Sequence, residues 1–338
     1  MHSVGKSLGS YQLLCIRPCV DNLPAEPGYS AAVIIRPLAS HAELDLFNTL
    51  PYAYNEELAD DLAAGRRRLE WLWVALRGDV VVARVAWWAR ADGEPPLLLD
   101  VFDLDDVSPD RVDIGERLLR EASAAVVPDG PVEYGRMLSA QWRDDPAERR
   151  AVEDRVAAAE RTGARLFVER LRLEWQPPAC MPTPSGRLTF RPVADRAELV
   201  GLMTDVLDGT LDAHSQTELQ TMDPAESAAH QYDSEFLSYS SPREWWRVAT
   251  LPDGEPVGFV IPARNNYHPI IAYLAVLPRH RGHGYIDEIL GEGTRILADN
   301  GAARIRAATD LGNVPMANAF HRAGYVTFAR AIDLTWDR

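Results

Sequence analysis

Lysine is almost missing from this chain: Lys6 is the only one in 338 residues, and arginine supplies the rest of the positive charge. Acidic residues outnumber basic ones 50 to 35, a net charge of −15. General binding to nucleic acid or to a membrane surface needs clustered positive charge, so neither partner is expected. Cysteine is also scarce. Cys15, Cys19 and Cys180 make no disulfide framework and no metal-ligand set, which predicts no metal and fits a reduced, cytoplasmic compartment. Nowhere is there a run of 18 apolar residues, and the N-terminus has no continuous apolar segment, so neither a membrane span nor a signal peptide is predicted.

What is there is a repeat. "RPLASHAEL" (36–44) and "RPVADRAEL" (191–199) share R-P-x-A-x-x-A-E-L, each after a short β-prone run and before an apolar-periodic segment. "RTGARLFVERLRLEW" (161–175) and "RAGYVTFARAIDLTW" (322–336) match at Arg161/Arg322, Gly163/Gly324, Phe167/Phe328, Leu173/Leu334 and Trp175/Trp336. Between them, "WVALRGDVVVARV" (73–85) corresponds more weakly to "RVATLPDGEPVGFV" (247–260). The order predicts a duplicated domain. "QPPACMPTPSG" (176–186), with four prolines, reads as a stiff linker. The expected layout is a tail at 1–30, a first copy at 31–176, a linker at 177–186 and a second copy at 187–338. The second copy carries an extra segment at about 211–242, where a substrate site is expected. The tryptophan pairs in "VARVAWWAR" (82–90) and "EWWRVA" (244–249) read as strand packing, with a stacking platform as the alternative.

"IIAYLAVL" (270–277) has the length and apolarity of a buried strand, and Pro278 ends it. "RHRGHG" follows, and then Ile286, Ile289, Leu290, Gly293, Ile296 and Leu297 recur at helical spacing. Strand, glycine loop and helix N-terminus in that order bring unpaired N–H groups and the positive end of the helix dipole to one spot. Gly282 and Gly284 let an anion approach the backbone, and Arg279, Arg281 and His283 are expected to add charge.

Val276, Pro278, Arg281, Gly282 and Gly284 form V-x-P-x-x-R-G-x-G, which resembles the pyrophosphate-binding motif of the GNAT acyl-CoA N-acyltransferases. "DLGNVPMANAFHRAGYVTF" resembles that family's second motif through Asn313, the following helix and Gly324-Tyr325. The resemblance covers 187–338 and extends weakly, through the repeat, to 31–176. It implies an α/β (α+β) chain of two GNAT-like domains, each a mixed, mostly antiparallel sheet flanked by helices, with a splayed central parallel strand pair. It implies acetyl-CoA as cosubstrate. The pantetheine arm would pair with Leu274, Ala275 and Val276, and the pyrophosphate would sit on the backbone of Arg281, Gly282, His283, Gly284, Tyr285 and Ile286. Asn313 would contact the arm further along. The family's loop has Gly or Ala where Ile286 stands.

The first copy has "DLDDVSPD" (103–110) at the equivalent place, and its acidic groups, with Asp113, are expected to repel a pyrophosphate or to form a solvated face. Residues able to handle protons are few. The strand offers only Tyr273; Ile270 and Ala272 fill the positions where the family often carries a base. Phe320 stands where the family often has a tyrosine, and His321 follows it. Tyr273, His321 and Glu235 are the catalytic candidates, while His214, Glu218, Asp223, His230 and Asp233 in the extra segment are further acid or base groups. Collectively these carboxylates predict a small, cationic amine as acceptor, bound by a monomer or homodimer. The expected function is transfer of acetyl from acetyl-CoA to that amine by direct attack. The rival readings are a CoA-binding pseudoenzyme or regulatory domain, and an aminoacyl-tRNA-dependent acyltransferase.

Overall fold

The computed structural model describes residues 32–179 and 185–336. The expected tail, all three cysteines and the middle of the linker lie outside these residues. The first half supplies strands β1 (Val33–Pro37), β2 (Leu72–Arg77), β3 (Val80–Trp88), β4 (Leu98–Leu104), β5 (Glu133–Ser139) and β6 (Ala164–Trp175). Its helices are α1 (Leu44–Phe47), α2 (Leu58–Ala63), α3 (Arg111–Val126) and α4 (Pro146–Glu160). The second half adds β7 (Thr189–Pro192), β8 (Arg247–Thr250), β9 (Pro256–Arg264), β10 (Pro269–Val276), β11 (Ile305–Asp310) and β12 (Val326–Trp336). Its helices are α5 (Arg196–Val206), α6 (Ala213–Glu218), α7 (Pro224–Ser234), α8 (Tyr285–Asp299) and α9 (Val314–Arg322). The extra segment of the second copy is therefore mostly the two helices α6 and α7.

The repeated motif has the same physical job in both copies. Arg36 holds Glu43 in a two-pronged pair at 2.7 and 2.8 Å, and Glu43 also accepts the Ala39 N–H at 2.7 Å. Arg191 and Glu198 form the same pair, with the Ala194 N–H donating to Glu198 at 2.7 Å. Each pair ties the end of an edge strand to the helical turn that follows it. The helix starts are capped as their sequences require: Asp145 and Asp195 accept N–H groups of the first turns of α4 and α5.

All twelve strands join one sheet in the order β1-β2-β3-β4-β5-β12-β6-β11-β10-β9-β8-β7. The order is a palindrome of the two copies with their final strands exchanged. β12 inserts beside β5 of the first half, β6 beside β11 of the second, and the two pair antiparallel at the centre from Val326↔Glu174 to Trp336↔Ala164. Neighbours are antiparallel throughout except β4–β5 and β10–β11. Each parallel pair is short and then diverges, as expected for a splayed centre: β4 and β5 pair only at Leu98↔Glu133 and Leu99↔Tyr134, β10 and β11 only at Ile270↔Arg306.

The exchange extends to the cores. Ile332 and Leu334 of β12 are buried in the first half's apolar cluster, with Phe47, Val85, Phe102 and Leu118. Leu171, Leu173 and Trp175 of β6 belong to the second half's cluster, with Ile289, Leu290, Leu297 and Phe320. A third cluster lies on the opposite face of the second half, where α5 and α7 pack Leu199, Met203 and Tyr232, with Phe236 just after α7, on Trp246 and Phe259. No helix among the described residues is long and apolar enough to cross a membrane.

Leu334 is fully buried. Leu334→Ala should lower the unfolding free energy by about 2–5 kcal/mol. Ile34→Ala, at a side chain 58% exposed, should change it by less than about 0.5 kcal/mol. Equal, small shifts in urea midpoint would show that β12 is not part of the first half's core.

Candidate active site

β10 is paired on one side only. Against β9 its register runs to Val276↔Gly258, but on the β11 side it has no strand partner after Ile270. Ala272 is a bulge between Ile271↔Pro262 and Tyr273↔Ile261. Ile271, Leu274 and Val276 consequently face the cluster under α8, while Ala272, Tyr273 and Ala275 face the one under α5 and α7. The bulge thus keeps Tyr273 on the same face as Ile270 and Arg306. A strand with backbone groups open along one edge, buried in a sheet, is a built place for an extended ligand to add hydrogen bonds.

The gap leads to the glycine loop. Gly282 and Gly284 hold φ of +84° and +74°, and Gly284 is the N-cap of α8 with no side-chain cap. Among the described residues, no backbone acceptor takes the N–H groups of 282–286. A Cβ on Gly282 would meet nothing within 4 Å, and one on Gly284 only Arg187 Nη2 at 4.0 Å. The space above the loop is open and lined with donors. As the spacing predicted, Ile289, Leu290, Gly293 and Leu297 of α8 are buried.

The loop's basic side chains point elsewhere than expected. Arg281 donates to the carbonyls of Val206 (2.9 Å) and Asp208 (2.7 Å), clamping the C-terminal end of α5, and to Val276 (3.2 Å). Arg279 and His280 engage Glu255 at 3.0 and 3.1 Å. His283 Nδ1 lies 3.1 Å from the Arg281 carbonyl. What remains for an anion is backbone N–H and the helix dipole. Arg187, which no sequence signal indicated, does reach the loop: it bonds the His283 carbonyl at 2.9 Å, pairs with Glu288 and stacks over Tyr285 at 4.9 Å. Asn313 caps α9 by accepting the Met316 N–H at 3.3 Å.

Of the three catalytic candidates, Tyr273 and Glu235 share a site and His321 stands apart from it. The Tyr273 ring stacks on Phe259 at 5.4 Å and meets Phe236 edge-on at 6.1 Å. Its hydroxyl has no hydrogen-bond partner among the described residues. Burial raises its pKa well above the usual tyrosine value, with Asp212 and Glu235 adding to the rise and Arg281 opposing it. Tyr273 is therefore a neutral phenol at physiological pH, a donor and not a base. Glu235 accepts the Tyr239 hydroxyl at 2.6 Å. It lines a cavity of about 190 Å³ with Trp88, Arg90, Tyr239, Tyr267 and Ile270. Trp88 and Arg90 come from the first half; Trp87 and Trp246 are core, as strand packing predicts. His321 is exposed at the end of α9 beside Thr327, at 3.1 Å. Phe320 is buried against Tyr325, whose hydroxyl meets that of Thr294 at 2.8 Å.

The extra segment's other groups divide. Asp233 is exposed and paired with Arg196, Asp223 caps α7, and Glu218 accepts from Ser227. His230 is exposed. These four do not form the expected acidic lining. His214 is different: its Nε2 lies 2.8 Å from Glu133, and its ring meets Phe167 edge-on at 4.9 Å. Asp333 joins them, so that one ligand-type atom from each of Glu133, His214 and Asp333 lies within 4.8 Å of the others, a set able to hold a divalent cation. Burial pushes the Asp333 carboxyl up to about 6.

In the first half the corresponding gap is closed by its own side chains. Tyr52 accepts the Met137 N–H of β5 at 2.8 Å, and Arg136 and Arg155 donate to the Phe102 and Leu104 carbonyls of β4 at 2.9 and 3.0 Å. Asp103, 1% exposed, sits among Arg84, Arg136 and Arg155. Asp106, Asp110 and Asp113 pair with Arg155, Arg77 and Arg161. Only Asp103 is buried in this network; Asp106 and Asp113 remain exposed, so the solvated face is present and its arginine partners offset the expected repulsion.

The acetyltransferase (GNAT) family model matches residues 212–325, which span the open strand edge, the glycine loop and α9. This segment is a GNAT domain. The whole fold recurs in solved structures. A GCN5-related N-acetyltransferase from Sphaerobacter thermophilus is 15% identical, with a TM-score of 0.56 over 89% of this chain and 94% of that one. A tandem GNAT protein from the clavulanic acid biosynthesis pathway is 16% identical, with a TM-score of 0.50 over 90% and 98%. A glucosamine N-acetyltransferase region of a fungal multi-domain beta-N-acetylglucosaminidase is 12% identical, with a TM-score of 0.54 over 91% of this chain and 38% of that one. At these identities the likeness is one of fold. No curated protein matches the chain.

The GNAT loop depends on backbone in a left-handed conformation under open space. Gly282→Val and Gly284→Val should each weaken CoA binding at least tenfold, with the protein still folded by circular dichroism. Unchanged affinity in either variant would reduce the loop to a turn.

Proposed function

We propose that this GNAT protein transfers the acetyl group of acetyl-CoA to the amine of a small molecule, at one site per chain, in the second half. The observation that supports this most directly is the contrast between the two gaps. The β10–β11 gap leaves its backbone edge free and runs to a donor-rich loop, whereas the β4–β5 gap is filled by Tyr52, Arg136 and Arg155.

In this reading the pantetheine arm adds to the open edge around Leu274, Ala275 and Val276, and the pyrophosphate takes the N–H groups of 282–286. The acceptor enters from the other face, through the cavity walled by Trp88, Glu235, Tyr239 and Tyr267. The Glu235 carboxylate draws a cationic amine toward Tyr273. The free amine nitrogen attacks the thioester carbonyl carbon, and unpaired N–H groups of β10 stabilise the oxyanion. The C–S bond then breaks, the thiolate takes the Tyr273 proton, and the proton shed by the amine returns to the Tyr273 oxygen through solvent past Glu235, which restores the phenol. Phe320 lies in the core and takes no part. The first half acts as a wall of the acceptor pocket and as a scaffold.

Tyr273→Phe keeps the ring stack and removes only the donor. It should lower kcat about a hundredfold while the Kd for acetyl-CoA stays within threefold, read by thiol release and calorimetry. An unchanged kcat would remove Tyr273 from the chemistry. Binding of two equivalents of CoA would overturn the single-site reading.

A further inference from the structure

The floor of the acceptor side has an unmatched positive charge. On the face of the central sheet that carries Ile270 and Tyr273, β6 presents Arg170, Arg172 and Glu174, and β11 presents Arg306 and Asp310. The register sets Glu174 opposite Arg306, and Arg172 opposite Ala308. On the β12 side Arg172 faces Ala329. Both flanking residues are small. Arg172 and Arg306 are diagonal neighbours across the pair, within reach of one ligand group.

Their bonding differs. Arg306 is held: Nη2 meets Glu174 at 2.7 Å, and its guanidinium stacks over Phe328 at 3.7 Å. Arg304 also leans on Glu174, at 3.3 Å. Arg172 is only partly exposed and has no hydrogen-bond or ion-pair partner among the described residues. Its Nε is buried without an acceptor, and so is that of Arg306. A buried cationic N–H without an acceptor carries a desolvation cost that a bound oxyanion removes. His268, just ahead of β10, experiences the same positive field: burial lowers its pKa first, then Arg306, Arg304 and Arg172. Arg304 and Arg306 share Glu174, with Glu57 more distant, while Arg172 acts on Asp333 only at longer range and forms no ion pair with it.

The location is what makes the charge useful. Arg306 is opposite Ile270, the last β10–β11 pair before the gap opens, and Ile270 lines the acceptor cavity. We infer that the acceptor amine belongs to a molecule that also carries a carboxylate, and that Arg172 binds that carboxylate with Arg306 beside it. Glu235 and Arg172 then hold opposite ends of a zwitterion, with the amine toward Tyr273. This inference rests on the acetyltransferase reading above. A planar guanidinium with free N–H groups is the side chain suited to a two-pronged carboxylate contact.

The test uses the full-length protein, acetyl-CoA and matched acceptor pairs: lysine and cadaverine, histidine and histamine, tyrosine and tyramine, tryptophan and tryptamine. Thiol release should favour the carboxylated member of the active pair by about a hundredfold in kcat/KM. Arg172→Met should raise the KM of that member at least about thirtyfold, leave kcat within threefold, and leave the decarboxylated partner unchanged. Arg172→Lys should recover part of the loss. If Arg172→Met no longer binds acetyl-CoA, its fold has failed, and Arg172→Lys carries the comparison. Equal turnover of both members, or an equal effect of Arg172→Met on both, would overturn the carboxylate assignment and leave the acetyltransferase reading standing. Absence of thiol release with every pair would sink both.

Discussion

The antiparallel pairing of β6 with β12 is the contact on which the rest of this molecule depends. Each strand ends one copy of the duplicated sequence and completes the sheet of the other. Apolar side chains on one face of each strand go to the partner copy's core: Leu171, Leu173 and Trp175 in one direction, Ile332 and Leu334 in the other. The opposite face of the same strands turns toward the cleft and is polar, with Arg170, Arg172 and Asp333. The alternation of a β-strand thus sends apolar side chains to one face and polar ones to the other.

The two gaps show how a duplicated scaffold can lose or keep a ligand site without changing its strand order. A splayed parallel pair leaves backbone donors and acceptors that must find partners. In the first half a tyrosine and two arginines supply them from within, and a buried aspartate neutralises the arginines. In the second half the Val276 carbonyl has Arg281 as such a partner, but among the described residues no side chain bonds the backbone of Leu274 or Ala275. The same reasoning explains the fixed loop side chains: Arg281 is committed to carbonyls at the end of α5, which positions the loop but leaves anion binding to the backbone.

Much of this was legible before any coordinates. The strand at 270–277, the glycine turn and the buried stripe of α8 are local and periodic, and they are found where the spacing placed them. The duplication was legible because matching residues do matching work, as with Arg36–Glu43 and Arg191–Glu198. Non-local partners were not. β6 and β12 carry the same pattern, so nothing in their residues says which copy each will join. Arg281 finds its acceptors 75 residues upstream, and Arg187 reaches the loop from 96 residues away. His214 could be noted as a titratable group in the extra segment, but its companions Glu133 and Asp333 lie on strands whose adjacency only the exchange creates. The pairing of the acidic loop was hidden for the same reason: Arg77, Arg155 and Arg161 are dispersed along the chain.

The exchange also has a temporal side. A ribosome delivers β1 to β5 long before β12, and the first half's core stays short of Ile332 and Leu334 until the last strand emerges. Until then the free edge of β5 and the apolar surface beside it are exposed to whatever else is present. The second half meets no such delay, because β6 is already waiting when β11 appears. The half with the open site can therefore close first, and the half that walls it is completed last, by the final strand of its partner.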